Sequence, residues 1–159
     1  MTAKAPSVAL SKLLDPALVI AYTAKPAKGE AIKDLVGRLS LAKGLGGPEP
    51  LLAKVLEREQ GPTTTLDTGL SIPHARVPGL KETVAALGLF QPSIPDPAQP
   101  DLAIRAMFLF LSPDDPRAFS QNLQILRRIA IVFQPAFIDK LQNAGTSDKA
   151  LDLLRQKEK

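Results

Sequence analysis

Cysteine is absent from this 159-residue chain, and that absence removes disulfides, thiol nucleophiles and zinc-ribbon sites together. It fits a reducing compartment. Histidine occurs once, at position 74. A metal site built from several imidazoles is therefore excluded, and any imidazole chemistry has a single possible location. Tryptophan is also missing, and six Phe and one Tyr are too few to interleave with basic residues as a nucleic-acid stacking surface does. No apolar run approaches the roughly 18 residues of a membrane-spanning helix. The segment from Met1 to Ser11 carries Lys4 but no hydrophobic stretch of signal-peptide length. No glycine-rich loop of the nucleotide-binding kind is present. Ser71 has no histidine to spare as its base, which rules against a Ser-His-Asp hydrolase. The expectation is a soluble cytoplasmic protein with no membrane insertion, no nucleic-acid partner, no metal and no cofactor.

What is present is mildly basic. Lys plus Arg number 20 against 16 Asp plus Glu, a net charge of +4 spread along the chain, which suits acidic partners or phosphorylated ligands. The length fits one domain, residues 1–159 with a core from about 8 to 156, large enough to bury roughly two-thirds of its unfolded surface.

Hydrophobic periodicity divides the chain into elements. Residues 17–24 form a short apolar run bounded by Pro16 and Lys25-Pro26 and read as a strand. From Glu30 the pattern turns helical, with Ile32, Leu35, Val36 and Leu39 on one side, and the stretch Gly44–Pro48 stops it. A second helix carries Leu51, Leu52, Val55 and Leu56 and ends at Arg58-Glu59, after which Thr63-Thr64-Thr65 is extended. Residues 69–77 read as a strand running into a loop at His74, and Val84–Phe90 as another strand. Pro92, Pro95, Pro97 and Pro100 then predict an exposed connection, neither helix nor central strand. Ala103–Leu111, nearly all apolar, predicts a central strand covered on both faces. Beyond Pro113-Asp114-Asp115-Pro116, a turn and cap sequence, comes the longest helix, with Phe119, Leu123, Leu126, Ile129, Ala130 and Phe133 as its inward stripe and Arg127-Arg128 on a solvated flank. Two shorter helices follow, near 136–142 and 147–156, the second capped by Ser147 or Asp148. This order predicts an α/β fold, a three-layer α/β/α sandwich with a mixed β-sheet.

His74 stands in the tetrad Ile72-Pro73-His74-Ala75. A neutral imidazole nitrogen can attack phosphorus, and the resulting phosphoramidate passes its phosphoryl group on once protonated. Such a step needs positioning and N–H or cationic groups around the phosphoryl oxygens. Pro73 has no N–H and favours chain at a sheet edge, and Ala75 is small, so a ring placed here would be open to a partner protein.

The segment Arg58-Glu59-Gln-Gly-Pro-Thr-Thr64-Thr-Leu66-Asp67-Thr-Gly69-Leu-Ser-Ile72-Pro73-His74 resembles the signature of the type-2 IIA components of the sugar phosphotransferase system, which include the mannitol and fructose IIA domains and the nitrogen-regulatory IIA proteins. The Arg-Glu pair, the loop threonine, the Pro-His ending and the 16-residue interval from Arg58 to His74 all look like that family, as does the order of elements around them. The resemblance implies a phosphohistidine carrier. His74 would accept a phosphoryl group from a small HPr-like protein, Arg58 would stabilise its oxygens, and Thr64, Asp67 and Arg76 are candidates for support. A IIB domain of a sugar permease or a regulatory target protein would be the next partner. Asp67 is also a candidate to hold the ring's tautomer by bonding its far nitrogen.

Two departures follow from the residues present. Relatives carry a second histidine near the start of the long helix, where this chain has Asn122 at or near the place, or Ser120 or Gln121 in a shifted register. Asparagine can donate a hydrogen bond but cannot become cationic. The loop before the motif has Thr65 and Asp67 where many relatives have glycine. The leading expectation is a phosphocarrier of the regulatory, nitrogen type, favoured by the chain's length and the missing histidine. Its rival is a IIA-like partner-binding module that is no longer phosphorylated, and a third possibility is a piece of a larger permease or regulator.

Overall fold

A long hairpin organises the sheet. In the computed structural model, which describes residues 9–159, strands β4 (Val84–Asp96) and β5 (Gln99–Pro113) run antiparallel. Strand β1 (Val19–Tyr22) lies parallel to β4 on one side, and β2 (Leu70–Ser71) and β3 (His74–Val77) lie parallel to β5 on the other. Helices α1 (Lys28–Lys43) and α2 (Pro48–Glu59) cover one face. Helices α3 (Ala118–Val132), α4 (Pro135–Gln142) and α5 (Ser147–Lys157) cover the other. This is the mixed sheet with helices on both faces that the element order predicts. The start of the core at about residue 8, and most of the segment read for a signal peptide, lie outside the described residues.

Alternation along the two central strands builds both cores at once. On β5, Phe108 and Phe110 face α3 and α4 while Met107, Leu109 and Leu111 face α1 and α2, and all five are fully buried. Ile32, Leu35, Val36 and Leu39 supply the inward face of α1, which ends at Gly44 in the left-handed conformation (φ 62°).

Four expectations change. The proline segment is not a loose connection, because Ile94, Pro95 and Asp96 still pair with β5 and both Ile94 and Asp96 are buried. Beyond Phe90, β4 pairs with β5 alone among the described residues, so prolines are tolerated there without breaking a second ladder. On α3 the expected stripe holds at Leu126, Ile129 and Phe133, which meet the core, but Phe119 and Leu123 are 44% and 66% exposed and Ala130 is exposed, their inward places being taken by Ala118, Ile125 and Val132. Apolar residues on two adjacent helix faces give periodicity no way to choose between them. Arg128 is no solvated flank, since it bonds Glu158 at 2.8 Å, and that carboxylate also takes the Leu10 and Ser11 N–H groups. Finally, the cap of α5 is Thr146, whose hydroxyl accepts from the Lys149 N–H, while the Ser147 hydroxyl donates to Val19 O on the outer edge of β1.

Candidate functional site

The chain reaches His74 through a tightly bonded turn. The Leu66 N–H donates to Leu70 O at 2.7 Å, and Thr65 bridges Ser71. Gly69 turns the chain with φ 94°, which favours glycine, and a Cβ there would also crowd the Arg105 side chain at 3.0 Å. The Ile72 N–H then donates to Thr64 O at 2.9 Å. Pro73 has no donor and interrupts the strand, but its carbonyl accepts the Phe110 N–H at 3.1 Å, which keeps the chain in line along β5. His74 is consequently the first residue of β3 and not part of a loop beyond it. It stands opposite Phe110, on a strand for which β5 is the one paired neighbour among the described residues.

The environment of the ring fixes its chemical state. Nδ1 lies 2.7 Å from Ile72 O, and a carbonyl only accepts, so the proton of the neutral ring is on Nδ1. Nε2 keeps its lone pair, and no group among the described residues bonds it. The ring stacks on Phe110 with centroids 5.0 Å apart and planes 8° from parallel. Burial disfavours the charged form, and the positive Arg58 and Arg76 nearby act in the same sense. Together they outweigh the Ile72 bond and the charge of Glu59, and hold His74 below its ordinary pKa.

Two pH effects follow. A depressed histidine contributes stability above its unfolded pKa of about 6.5, and that contribution is lost as pH falls through the folded value. The chain has a single imidazole, so one NMR resonance should titrate with a midpoint below 6.5, and urea stability should fall over the same range. A midpoint at or above 6.5 would contradict the environment described.

His74 shares an open pocket of about 410 Å³ with Arg58, Arg76, Lys54 and Glu57, whose floor includes Gly61, Pro62 and Ala75. Arg58 folds back so that Nη1 donates to Pro62 O at 2.9 Å, and it pairs with neither neighbouring glutamate. A Cβ at position 61 would touch Arg58, at 3.3 Å from its carbonyl oxygen and 3.4 Å from that nitrogen. Arg76 is exposed, with its guanidinium 4.0 Å over the ring of Phe119. Three basic side chains and one acidic one therefore line the pocket, a setting suited to a phosphoryl group.

The other sequence candidates sit elsewhere. Thr64 is buried behind the pocket and donates to Glu59 at 2.9 Å. Asp67 lies in an exposed turn, and the tautomer role considered for it belongs instead to the Ile72 carbonyl. Asn122 donates to Ser112 at 2.9 Å, and Ser112 stands opposite Arg76, so Asn122 is on the His74 face of the sheet but one pleat further along and outside the pocket. Its Oδ1 is buried without a partner. Of the alternatives, Ser120 is exposed and Gln121 lines a different hollow beside Asp114 and Asp115. Sequence reasoning missed Lys54, Phe110 and the Ile72 carbonyl. Lys54 was open to discovery, since it lies one helical turn before Arg58 on the same side of α2. Phe110 needed the strand register and the carbonyl needed the backbone path.

The family model for the phosphoenolpyruvate-dependent sugar phosphotransferase system, EIIA 2, matches residues 12–157. Among solved structures, nitrogen regulatory protein IIA-Ntr from Neisseria meningitidis superposes with a TM-score of 0.78 at 18% identity, covering 91% of this chain and 98% of that one. The mannitol IIA of Escherichia coli gives 0.70 at 19% identity over 89% and 98%. The same Escherichia coli mannitol IIA, solved in complex with phosphorylated IIB, gives 0.68 at 18% over 86% and 94%. At these identities the solved structures establish a shared fold.

Proposed function

Because the chain belongs to the EIIA 2 family of the phosphoenolpyruvate-dependent sugar phosphotransferase system, we propose that it is a phosphocarrier that takes a phosphoryl group on Nε2 of His74. The observation that carries this reading is the Nδ1–H bond to Ile72 O. It leaves Nε2 as the nucleophilic nitrogen of a ring that lines a basic pocket.

The donor is the phosphohistidine of an HPr-like protein, its ring protonated on the other nitrogen. A bond forms between His74 Nε2 and phosphorus as the donor's phosphorus–nitrogen bond breaks. The donor ring departs neutral, and its positive charge appears on the His74 ring, where Nδ1–H points at the Ile72 carbonyl dipole. Arg58 and Arg76 meet the charge on the transferring oxygens, and the reaction needs little else from the protein. The downstream partner is a regulatory target or a IIB domain. Asn122 cannot supply a second cation, which favours occasional switching over sustained sugar flux and so the regulatory, nitrogen-type use.

The test is incubation with phosphoenolpyruvate and a homologous donor system, followed by intact-mass measurement. One added phosphoryl group supports the reading, and no gain with an active donor overturns it in favour of a partner-binding module that has lost phosphorylation. Asn122→His puts a titratable ring on the His74 face of the sheet but one pleat from the pocket, so the rate of acceptance should rise by no more than about threefold. Quenched-flow mass spectrometry reads that rate.

A further inference from the structure

Lys28 is an unusual residue to find at the start of a helix. A cation in the first turn opposes the helix dipole, and this one is also only 8% exposed. Its ammonium lies 3.2 Å from Asp96 and 3.5 Å from Glu59, two carboxylates that come from the hairpin arm and from the end of α2. Asp96 is fully buried. None of the three lines the His74 pocket, and nothing in the phosphoryl transfer uses them.

Both carboxylates hold the same turn. Glu59 accepts from the Thr64 hydroxyl at 2.9 Å, and the Thr64 carbonyl accepts from the Ile72 N–H at 2.9 Å. Asp96 accepts from the Thr65 hydroxyl, and Thr65 bridges Ser71. The two branches close around residues 64–72, and that segment ends at the Ile72 carbonyl, which accepts the hydrogen bond from His74 Nδ1–H. We propose that Lys28 is a positioning residue for the phosphoryl acceptor: by clamping Glu59 and Asp96 it holds the turn whose Ile72 carbonyl decides which nitrogen of His74 reacts. This deepens the phosphocarrier reading and rests on it for its use.

The physical reason is charge. Without the ammonium, two carboxylates are left together in a dry site, where they repel and resist ionisation. The turn loses the anchors on both of its sides, and the carbonyl becomes free to rotate away from Nδ1. The ring is then no longer confined to one tautomer. An arginine at position 28 keeps the charge and can reach both carboxylates.

The chain's single histidine makes the tautomer directly readable by long-range proton–nitrogen NMR on the unphosphorylated protein. Wild type should show the Nδ1–H form. In Lys28→Met the Nε2–H form should appear as a substantial fraction, and Lys28→Arg should restore the wild-type pattern. Thr64→Val cuts the link from Glu59 to the turn without stranding a charge, so it should change the tautomer in a protein whose circular dichroism is unaltered. With a donor present, both Lys28→Met and Thr64→Val should lower the saturating rate of acceptance about tenfold, while the half-saturating donor concentration changes less than twofold. A folded Lys28→Met whose ring keeps the wild-type tautomer overturns the proposal. If Lys28→Met does not fold, an unchanged ring in Thr64→Val does so instead. The ring measurement needs no donor, so failure of wild type to take phosphate would sink the carrier reading and leave the positioning result standing on its own.

Discussion

Replacing His74 with glutamine should remove phosphoryl acceptance entirely while leaving the fold in place. Glutamine fills a comparable volume and can still place a donor near the Ile72 carbonyl, but an amide nitrogen has no available lone pair with which to attack phosphorus. The structural cost is the stacking on Phe110 and part of the burial, about 1 kcal/mol for an aromatic pair. That is a small part of the roughly 5–15 kcal/mol that stabilises a natural domain. Intact mass after incubation with the donor system should show no added group, and the urea midpoint should move only slightly. A variant that still gains one phosphoryl group would place the acceptor elsewhere and dismantle the site as described.

The largest effect on stability should come from Phe110→Ala. Phe110 is fully buried near the C-terminal end of β5, edge-on to Phe108 with centroids 6.4 Å apart, and its face supports the His74 ring. Phenylalanine-to-alanine changes in a core cost about 3–5 kcal/mol, from lost transfer energy and the cavity left behind. Such a loss takes up much of a natural domain's stability. Phe110→Leu keeps most of the volume and should stay folded, at a cost of less than about 1.5 kcal/mol, but it removes the flat surface under the imidazole. Urea unfolding of the two variants should therefore separate widely, and the leucine variant should accept phosphate more slowly than wild type. Equal midpoints for alanine and wild type would mean that the packing around Phe110 is not what holds the sheet.

The fold was legible where one physical signal dominated. Helix α1 announces itself by four apolar residues at helical spacing and a glycine stop, and the central strand by an apolar run too continuous for an exposed face. The motif ending at His74, with Arg58 sixteen residues before it, pointed to a candidate site, and the structure brings these two side chains and Arg76 to one pocket. Errors arose where two signals competed. Prolines at 92–100 argued against pairing, yet a two-stranded arm needs fewer donors than a sheet interior, and buried Asp96 belongs to it. On α3, apolar residues on neighbouring faces put Phe119 and Leu123 in the inward stripe, where Ile125 and Val132 in fact stand beside Ile129. Asn122 nonetheless turns inward, because it shares the true buried face with Ala118 and Ile125. Lys28 and Asp96 lie 68 residues apart in the chain, and no spacing rule joins them. Their meeting is a product of the finished topology.

The group that holds the Nδ1 proton of His74 is a main-chain oxygen, and so it has no letter in the genetic text. Any residue at position 72 carries the same carbonyl, which means that no substitution there can delete it and that a side chain may drift while the acceptor persists. Selection can reach this oxygen only indirectly, through whatever fixes the backbone's direction: a proline after it, a glycine in the turn before it, a lysine beneath. Two relatives with different letters at this place can thus leave the same ring nitrogen unprotonated, and a chain with every expected letter can leave the other.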